Sequence, residues 1–310
     1  MEINSVGIIG QGALGIMYGK HLTERLKKDR VFFIADEERA KRYRTSKIVC
    51  NGEVCDFLYR SPAEAVKTDL IIFAVKFMGM AEAIETVRPF VGENTLFLSV
   101  LNGVSSEQML EEAFGDGRVI YCCVQGMDAG KNGNSAVYKN MGYVALGTKD
   151  RRFDEKLKAV TDLFDEAGLE YRTPEDIIHQ MWSKLMLNTG VNQVTAVYRS
   201  PYRLVQKEGE ARTMMLEAMK EVKKVAEYQD VELTDRDIDG WMELLDTLDP
   251  DGRTSMCQDV TAGRKTEVDL FAGTMIRLAR EAGIRVPVNE FLYEKLKEME
   301  EQASKGVYGR

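Results

Sequence analysis

The run SVGIIGQGALG, residues 5–15, constrains this 310-residue chain more than any other stretch. A short apolar strand leads into glycines at positions 10, 12 and 15, and a helical pattern follows to about residue 28. Strand, G-x-G-x-x-G loop and helix in direct succession are what a phosphate-binding turn requires. Gly10 permits the tight turn, Gly12 lets backbone approach a pyrophosphate, and Gly15 allows the helix to pack closely on the strand. The first helical N–H groups then face the anion. The same spacing also occurs in purely structural turns; the strand–loop–helix context is what separates the two readings.

Short apolar runs continue the pattern: VFFIA (31–35), DLIIFAV (69–75), TLFLSV (95–100) and RVIYCCV (118–124). Helical stretches near 79–88 and 104–113 separate the later ones. Continuous apolar strands alternating with helices indicate a mostly parallel sheet covered on both faces. The segment GKNGNSAVYKNMGYVALG (130–147) reads as an added hairpin around two strand-like runs. From about residue 174 only helical patterns remain, over 174–191, 207–229, 235–247, 254–262, 266–282 and 289–303. The tail SKGVYGR is expected to fray. The expected organisation is an α/β domain over residues 1–172, followed by an all-α domain over 173–310.

A net charge of -8 argues against a nucleic-acid partner, which needs a basic footprint. No apolar run reaches the length of a membrane span, and Met1 leads straight into strand-like sequence without a signal-peptide pattern. The five cysteines, at 50, 55, 122, 123 and 257, contain no C-x-x-C pair; they read as reduced thiols and point to the cytoplasm. With only His21 and His179 present, a serine triad or a histidine-rich metal site is disfavoured, and an enzyme of this sequence needs a proton donor other than histidine.

Asp36 closes the second strand 21 residues beyond Gly15, the spacing of an acid that binds a ribose 2′-hydroxyl. Arg39, Lys41 and Arg42 follow it, cations suited to a 2′-phosphate, while DEER also reads as an ordinary helix start. Lys76 and Asn102 each follow a sheet strand, where ligands of open α/β sheets bind; a solvated lysine and an Asn-Gly turn are the plain alternatives. In WSKLMLNTGVNQVTA (182–196), Lys184, Asn188 and Asn192 recur every four residues among apolar neighbours. On a regular α-helix they fall within an arc of roughly 80°. That stripe lines a solvated groove or grips a polar ligand. Ser255 beside Thr254, and Glu267 in a TEVD run, each read alone as parts of helix starts.

Taken together, the glycine loop, VK at 75–76, NG at 102–103, K…N…N at 184–192, TSMCQDV…GRKTEVD at 254–269 and VPVN at 286–289 resemble the ketopantoate reductase family over nearly the whole chain. The resemblance implies a Rossmann-type domain that binds NADPH and a helical domain that closes over a small 2-keto acid. It implies Lys184 as general acid and Glu267 as the residue that orients the substrate. Asn102, Asn188, Asn192 and Ser255 then line the substrate pocket. Gly10, Gln11, Gly12, Ala13, Leu14, Gly15, Asp36, Lys76, Asn102 and Glu267 contact the cofactor, with Lys76 at its junction with substrate. Asp36 is a departure, since the family usually places arginine there. NADP(H) is expected by resemblance, and Asp36 turns the expectation toward NAD(H). Other readings are a related NAD-dependent 2-hydroxyacid dehydrogenase for branched or aromatic keto acids, and a non-catalytic nucleotide sensor. A homodimer is compatible with all of them.

Overall fold

The apolar runs become strands because both faces of the sheet they build are covered. In the computed structural model, which describes residues 1–305, the chain begins β1 (Val6–Ile9), α1 (Ala13–Arg25), β2 (Val31–Ile34), α2 (Glu37–Thr45), β3 (Val49–Cys50), β4 (Glu53–Val54) and β5 (Tyr59–Arg60). It continues through β6 (Thr68–Phe73), α3 (Met80–Val87), β7 (Val91–Ser99), α4 (Ser106–Phe114) and β8 (Val119–Gln125). Then come β9 (Gly130–Asn132), β10 (Ser135–Val137), β11 (Tyr143–Gly147), α5 (Glu155–Ala167) and β12 (Tyr171–Arg172).

The main sheet has the order β12-β11-β8-β7-β6-β1-β2-β5. Every neighbouring pair is parallel except β8 with β11. Because side chains alternate between faces, each strand feeds two cores. Ile8, Leu70, Ile72, Leu96 and Leu98 join Ile16, Met17 and Leu22 of α1 and Phe164 of α5 in one cluster. On the other face Phe73 meets Phe97 at 6.4 Å between ring centroids, and Phe97 stacks on Phe114 of α4 at 4.4 Å. The strand order reverses between β1 and β6. Ligands of open α/β sheets bind at that position, beyond the carboxyl ends of the strands.

The segment 130–147 is not one hairpin. β9 and β10 pair with each other and join the β3–β4 hairpin in a separate four-stranded sheet, of order β4-β3-β10-β9. YVALG instead enters the main sheet as antiparallel β11, where Val144, Ala145 and Leu146 are buried. Burial separates the two runs: β10 has one buried residue, β11 four.

The helical part comprises α6 (Ile177–Leu187), a π-helical turn (Asn188–Asn192), α7 (Gln193–Val197), α8 (Arg203–Gln206), α9 (Glu210–Tyr228), α10 (Asp235–Thr247), α11 (Ser255–Thr261), α12 (Ala272–Ala282) and α13 (Pro287–Ser304). The chain divides into two compact units, Met1–Ile178 and a second beginning at His179. The helix expected from 266 starts only at Ala272. Thr266 donates both its N–H and its hydroxyl to Glu300 of α13, at 2.7 Å each, so the chain makes a turn before α12 begins. Most of the tail expected to fray, residues 306–310, lies outside the described residues. No helix among the described residues is long and apolar enough to cross a membrane. Cys50, Cys122, Cys123 and Cys257 are buried, Cys55 is half-buried, and no disulfide forms among the described residues.

Candidate active site

The glycine loop lies at the switch point of the sheet. Ile9 pairs with Phe73, and Ala74 N–H donates to the Ile9 carbonyl at 2.8 Å, so the ends of β1 and β6 stay together. Gly10 makes this closeness workable. Its φ is +105°, and a Cβ there would stand 2.5 Å from the backbone of Ala74 and Val75. At Gly15 a Cβ would lie 2.0 Å from the Gly10 carbonyl oxygen, which forbids any side chain as α1 turns out of the loop. Gly12 is different: its nearest protein atom would be Ala74 O at 3.5 Å, an ordinary contact. The protein itself does not crowd Gly12, and a ligand that approaches the backbone supplies the reason for glycine.

Gly12 is also the N-cap of α1, and no side chain caps the helix there. Its first-turn N–H groups therefore suit an anion. Gln11 is buried; its amide donates to the Tyr59 hydroxyl at 2.5 Å, while its Oε1 is buried with no hydrogen-bond partner among the described residues. A glycine cradle, open helix donors and an orphaned acceptor fit a dinucleotide that carries both phosphates and hydroxyls. Among the described residues no cluster of His, Cys, Asp or Glu is arranged to hold a metal ion.

Asp36 follows β2 and caps α2, accepting from Arg39 N–H at 2.8 Å. Its other oxygen meets Arg39 Nε at 3.3 Å, and Arg39 Nη1 reaches Glu82 at 2.6 Å. Arg39 is thus shared by two carboxylates, whereas Lys41 and Arg42 are exposed. Lys76, also exposed, begins the turn that follows β6. Asn102 is half-buried in the loop between β7 and α4, and Gly103 beside it has φ +87°. Beneath that loop, Ser99 hydroxyl donates to Ser106 Oγ at 2.8 Å, and Ser106 donates to Glu107 at 3.0 Å. Burial pushes the Glu107 carboxyl up to about 8, so a protonated, fully buried acid ends this chain of bonds.

In the helical unit the polar stripe is not regular α-helix. Asn188–Asn192 form a π-turn, a geometry frequent at functional sites, so the even 80° arc does not hold across it. Asn192 donates to Asn188 Oδ1 at 3.2 Å, which joins the two amides directly. Lys184 stands half-buried one turn earlier; its neighbour Ser183 accepts from Trp241 Nε1 at 2.8 Å.

The π-turn is built by side chains that the stripe does not include. Gln193 Nε2 donates to Thr189 O at 2.8 Å, and Thr195 Oγ1 donates to Val191 O at 2.8 Å. Thr195 also bonds the hydroxyl of Thr254 at 2.9 Å, the residue that caps α11 just before Ser255. Gln193 Oε1 accepts from Ala272 N–H at 3.1 Å, immediately after the turn that carries Glu267. Asn188, Asn192, exposed Ser255 and half-buried Glu267 therefore sit on segments tied together by hydrogen bonds. Gln193 and Thr195 are the residues that sequence reasoning missed. Their signal was faint: two polar side chains within the run 182–196 that fall off the four-residue spacing of Lys184, Asn188 and Asn192.

The ketopantoate reductase PanE/ApbA family model matches residues 6–151. The model of the same family's C-terminal part, ketopantoate reductase PanE/ApbA C terminal, matches residues 176–300. The chain belongs to the ketopantoate reductase family. The 2-dehydropantoate 2-reductase of Archaeoglobus fulgidus is 28% identical, across 97% of this chain and 99% of its own. Among solved structures, a 2-dehydropantoate 2-reductase from Geobacter metallireducens shares 25% identity with TM-score 0.81, over 95% of this chain and 99% of that one. A D-mandelate dehydrogenase in complex with NADH superposes with TM-score 0.85 at 22% identity, over 96% of this chain and 99% of that one, a likeness of fold.

Proposed function

We propose that this chain is a 2-dehydropantoate 2-reductase, which converts ketopantoate to pantoate in the route to pantothenate. The observation that carries the reading is the match of both halves of one family along the chain, with Lys184, Asn188, Asn192, Ser255 and Glu267 all in the helical unit. When bound, the reduced nicotinamide cofactor supplies the hydride that the keto carbon accepts. The residues of the chain then have to manage the charge left on oxygen. Lys184 is the natural donor: its ammonium stabilises developing negative charge and passes a proton to the alkoxide. Asn188 and Asn192 offer neutral donors and acceptors to a substrate hydroxyl without another charge to desolvate. Glu267 orients the substrate, and Ser255 completes the lining on the helical unit. The glycine loop, Asp36 and Lys76 hold the cofactor.

Within this reading NADH is the favoured cofactor. Asp36 brings a carboxylate to the position that meets the adenine ribose, and Arg39, its nearest cation, is already divided between Asp36 and Glu82. The same feature supports a second reading, an NAD-dependent 2-hydroxyacid dehydrogenase for a branched or aromatic keto acid. A nucleotide sensor without catalysis has no need of Lys184 and Glu267 together. The test is steady-state oxidation of NADH and NADPH with ketopantoate, in the wild type and in Lys184→Ala. Loss of the acid is expected to lower kcat by roughly 10²–10⁴ and to leave cofactor affinity nearly unchanged. A Lys184→Ala enzyme with normal turnover would assign the proton to another group.

A further inference from the structure

The β9–β10 hairpin brings a cation to the glycine loop. Lys131, on β9, donates from Nζ to the carbonyl oxygen of Gln11 at 2.6 Å, across 120 positions of sequence. The hairpin is firmly placed. Asp128 at its base accepts from Lys139 and Asn140 N–H at 2.8 and 2.9 Å. Tyr138 N–H donates to Asn51 Oδ1 at 2.9 Å, which ties the hairpin to the β3–β4 turn, and β3 and β10 both pack on α1.

Among the described residues, no carboxylate lies within ion-pair distance of the Lys131 ammonium, whereas Lys20, Lys149, Lys223 and Lys297 each meet an acid of another segment. Lost hydration against the loop lowers its pKa, with no acid opposing the shift. Lys131 is exposed as a residue, so its ammonium loses water only on the side that meets the loop, and its outer side stays open to an incoming ligand. It stands beside the uncapped N-terminus of α1, whose dipole is positive as well. One of its three N–H bonds is used on Gln11, and two remain for acceptors.

We propose that Lys131 is a phosphate-binding residue of the dinucleotide site, and that the missing counter-charge is the pyrophosphate of the cofactor. The proposal rests on the dinucleotide reading of the loop and adds to it a residue from outside the glycine motif. Since the pyrophosphate is common to NADH and NADPH, Lys131 contributes to affinity for both and does not select between them. Asp36 selects and Lys131 holds. The hairpin thus acts as a clasp on the loop.

Calorimetric titration with ADP-ribose and with adenosine tests this without turnover. Lys131→Gln keeps an N–H donor for the Gln11 carbonyl but removes the charge; Lys131→Met removes both, and Lys131→Arg restores the charge. Lys131→Gln and Lys131→Met are each expected to bind ADP-ribose about ten- to a hundredfold more weakly. Adenosine binding should be unchanged, Lys131→Arg should recover most of the affinity, and the dependence on ionic strength should be shallower in the uncharged variants. If Lys131→Gln binds ADP-ribose as the wild type does, Lys131 only props the loop and the proposal is overturned. A wild-type protein that ignores ADP-ribose would remove the dinucleotide reading itself.

Discussion

Asp36 does two things with one carboxylate, and they can be separated. One oxygen caps α2 through Arg39 N–H, and in the proposed function the charge as a whole faces any phosphate brought to the adenine ribose. At roughly 5 Å and an effective dielectric near 20, each unit of that repulsion costs on the order of 3 kcal/mol before screening. A phosphate carries about 1.5 to 2 such units, so a third of the total left uncancelled is still roughly tenfold or more in affinity. Asparagine caps helices about as well as aspartate, so Asp36→Asn removes the charge and spares the helix. The ratio of kcat/KM for NADH over NADPH is expected to fall about tenfold in Asp36→Asn, with little change in Tm. An unchanged ratio would mean that Lys41 and Arg42 govern the choice. At this scale Gly10, Gly15 and Asp36 were legible because each answers to a local rule of backbone or spacing. Lys131 was not, because its partner is 120 positions away and nothing in a Gly- and Asn-rich hairpin marks one lysine over another.

In the proposed function the π-turn is the element on which the substrate side depends. Lys184, Asn188 and Asn192 announced a polar face, yet a period of four cannot tell α-helix from a π-turn inside it. That distinction is made by Gln193 and Thr195, which satisfy carbonyls of the turn, and by Gly190. A Cβ at Gly190 would stand 2.6 Å from Met219 Cγ and 3.1 Å from the Met215 carbonyl oxygen. Close approach of α9 thus fixes the back of the turn while the asparagines occupy another side. Gly190→Ala forces α9 or the turn to shift, at about 1–3 kcal/mol, the usual cost of overpacking. The expected outcome is a Tm lower by several degrees and a clearly raised KM for the keto acid, with the KM for the dinucleotide near its wild-type value. Equal damage to both constants would show that the turn is general scaffolding. The TEVD segment failed as a helix start for a similar reason: Glu300, which captures Thr266, lies 34 residues on.

Over the whole molecule the sequence told most where burial was most uniform. Parallel strands buried on both faces read as unbroken apolar runs, and β1, β2, β6, β7 and β8 were each visible. The assignment of YVALG to the main sheet was not, because a single antiparallel strand and a hairpin arm share one composition. Family membership follows from matches to both halves of the chain, whereas the choice of keto acid rests on pocket shape, which a few shared polar residues do not define. In the proposed function the polar set on the helical unit is matched to ketopantoate, with hydroxyl-binding asparagines beside the acid. A site built to hydrogen-bond a substrate hydroxyl rejects analogues that lack it far more strongly than an apolar pocket rejects a changed methylene. The most direct measurement is kcat/KM for ketopantoate against phenylglyoxylate and 2-oxoisovalerate, with NADH and NADPH each saturating. Ketopantoate is expected to be preferred by about two orders of magnitude or more with either nucleotide. A higher kcat/KM for phenylglyoxylate or 2-oxoisovalerate would contradict it.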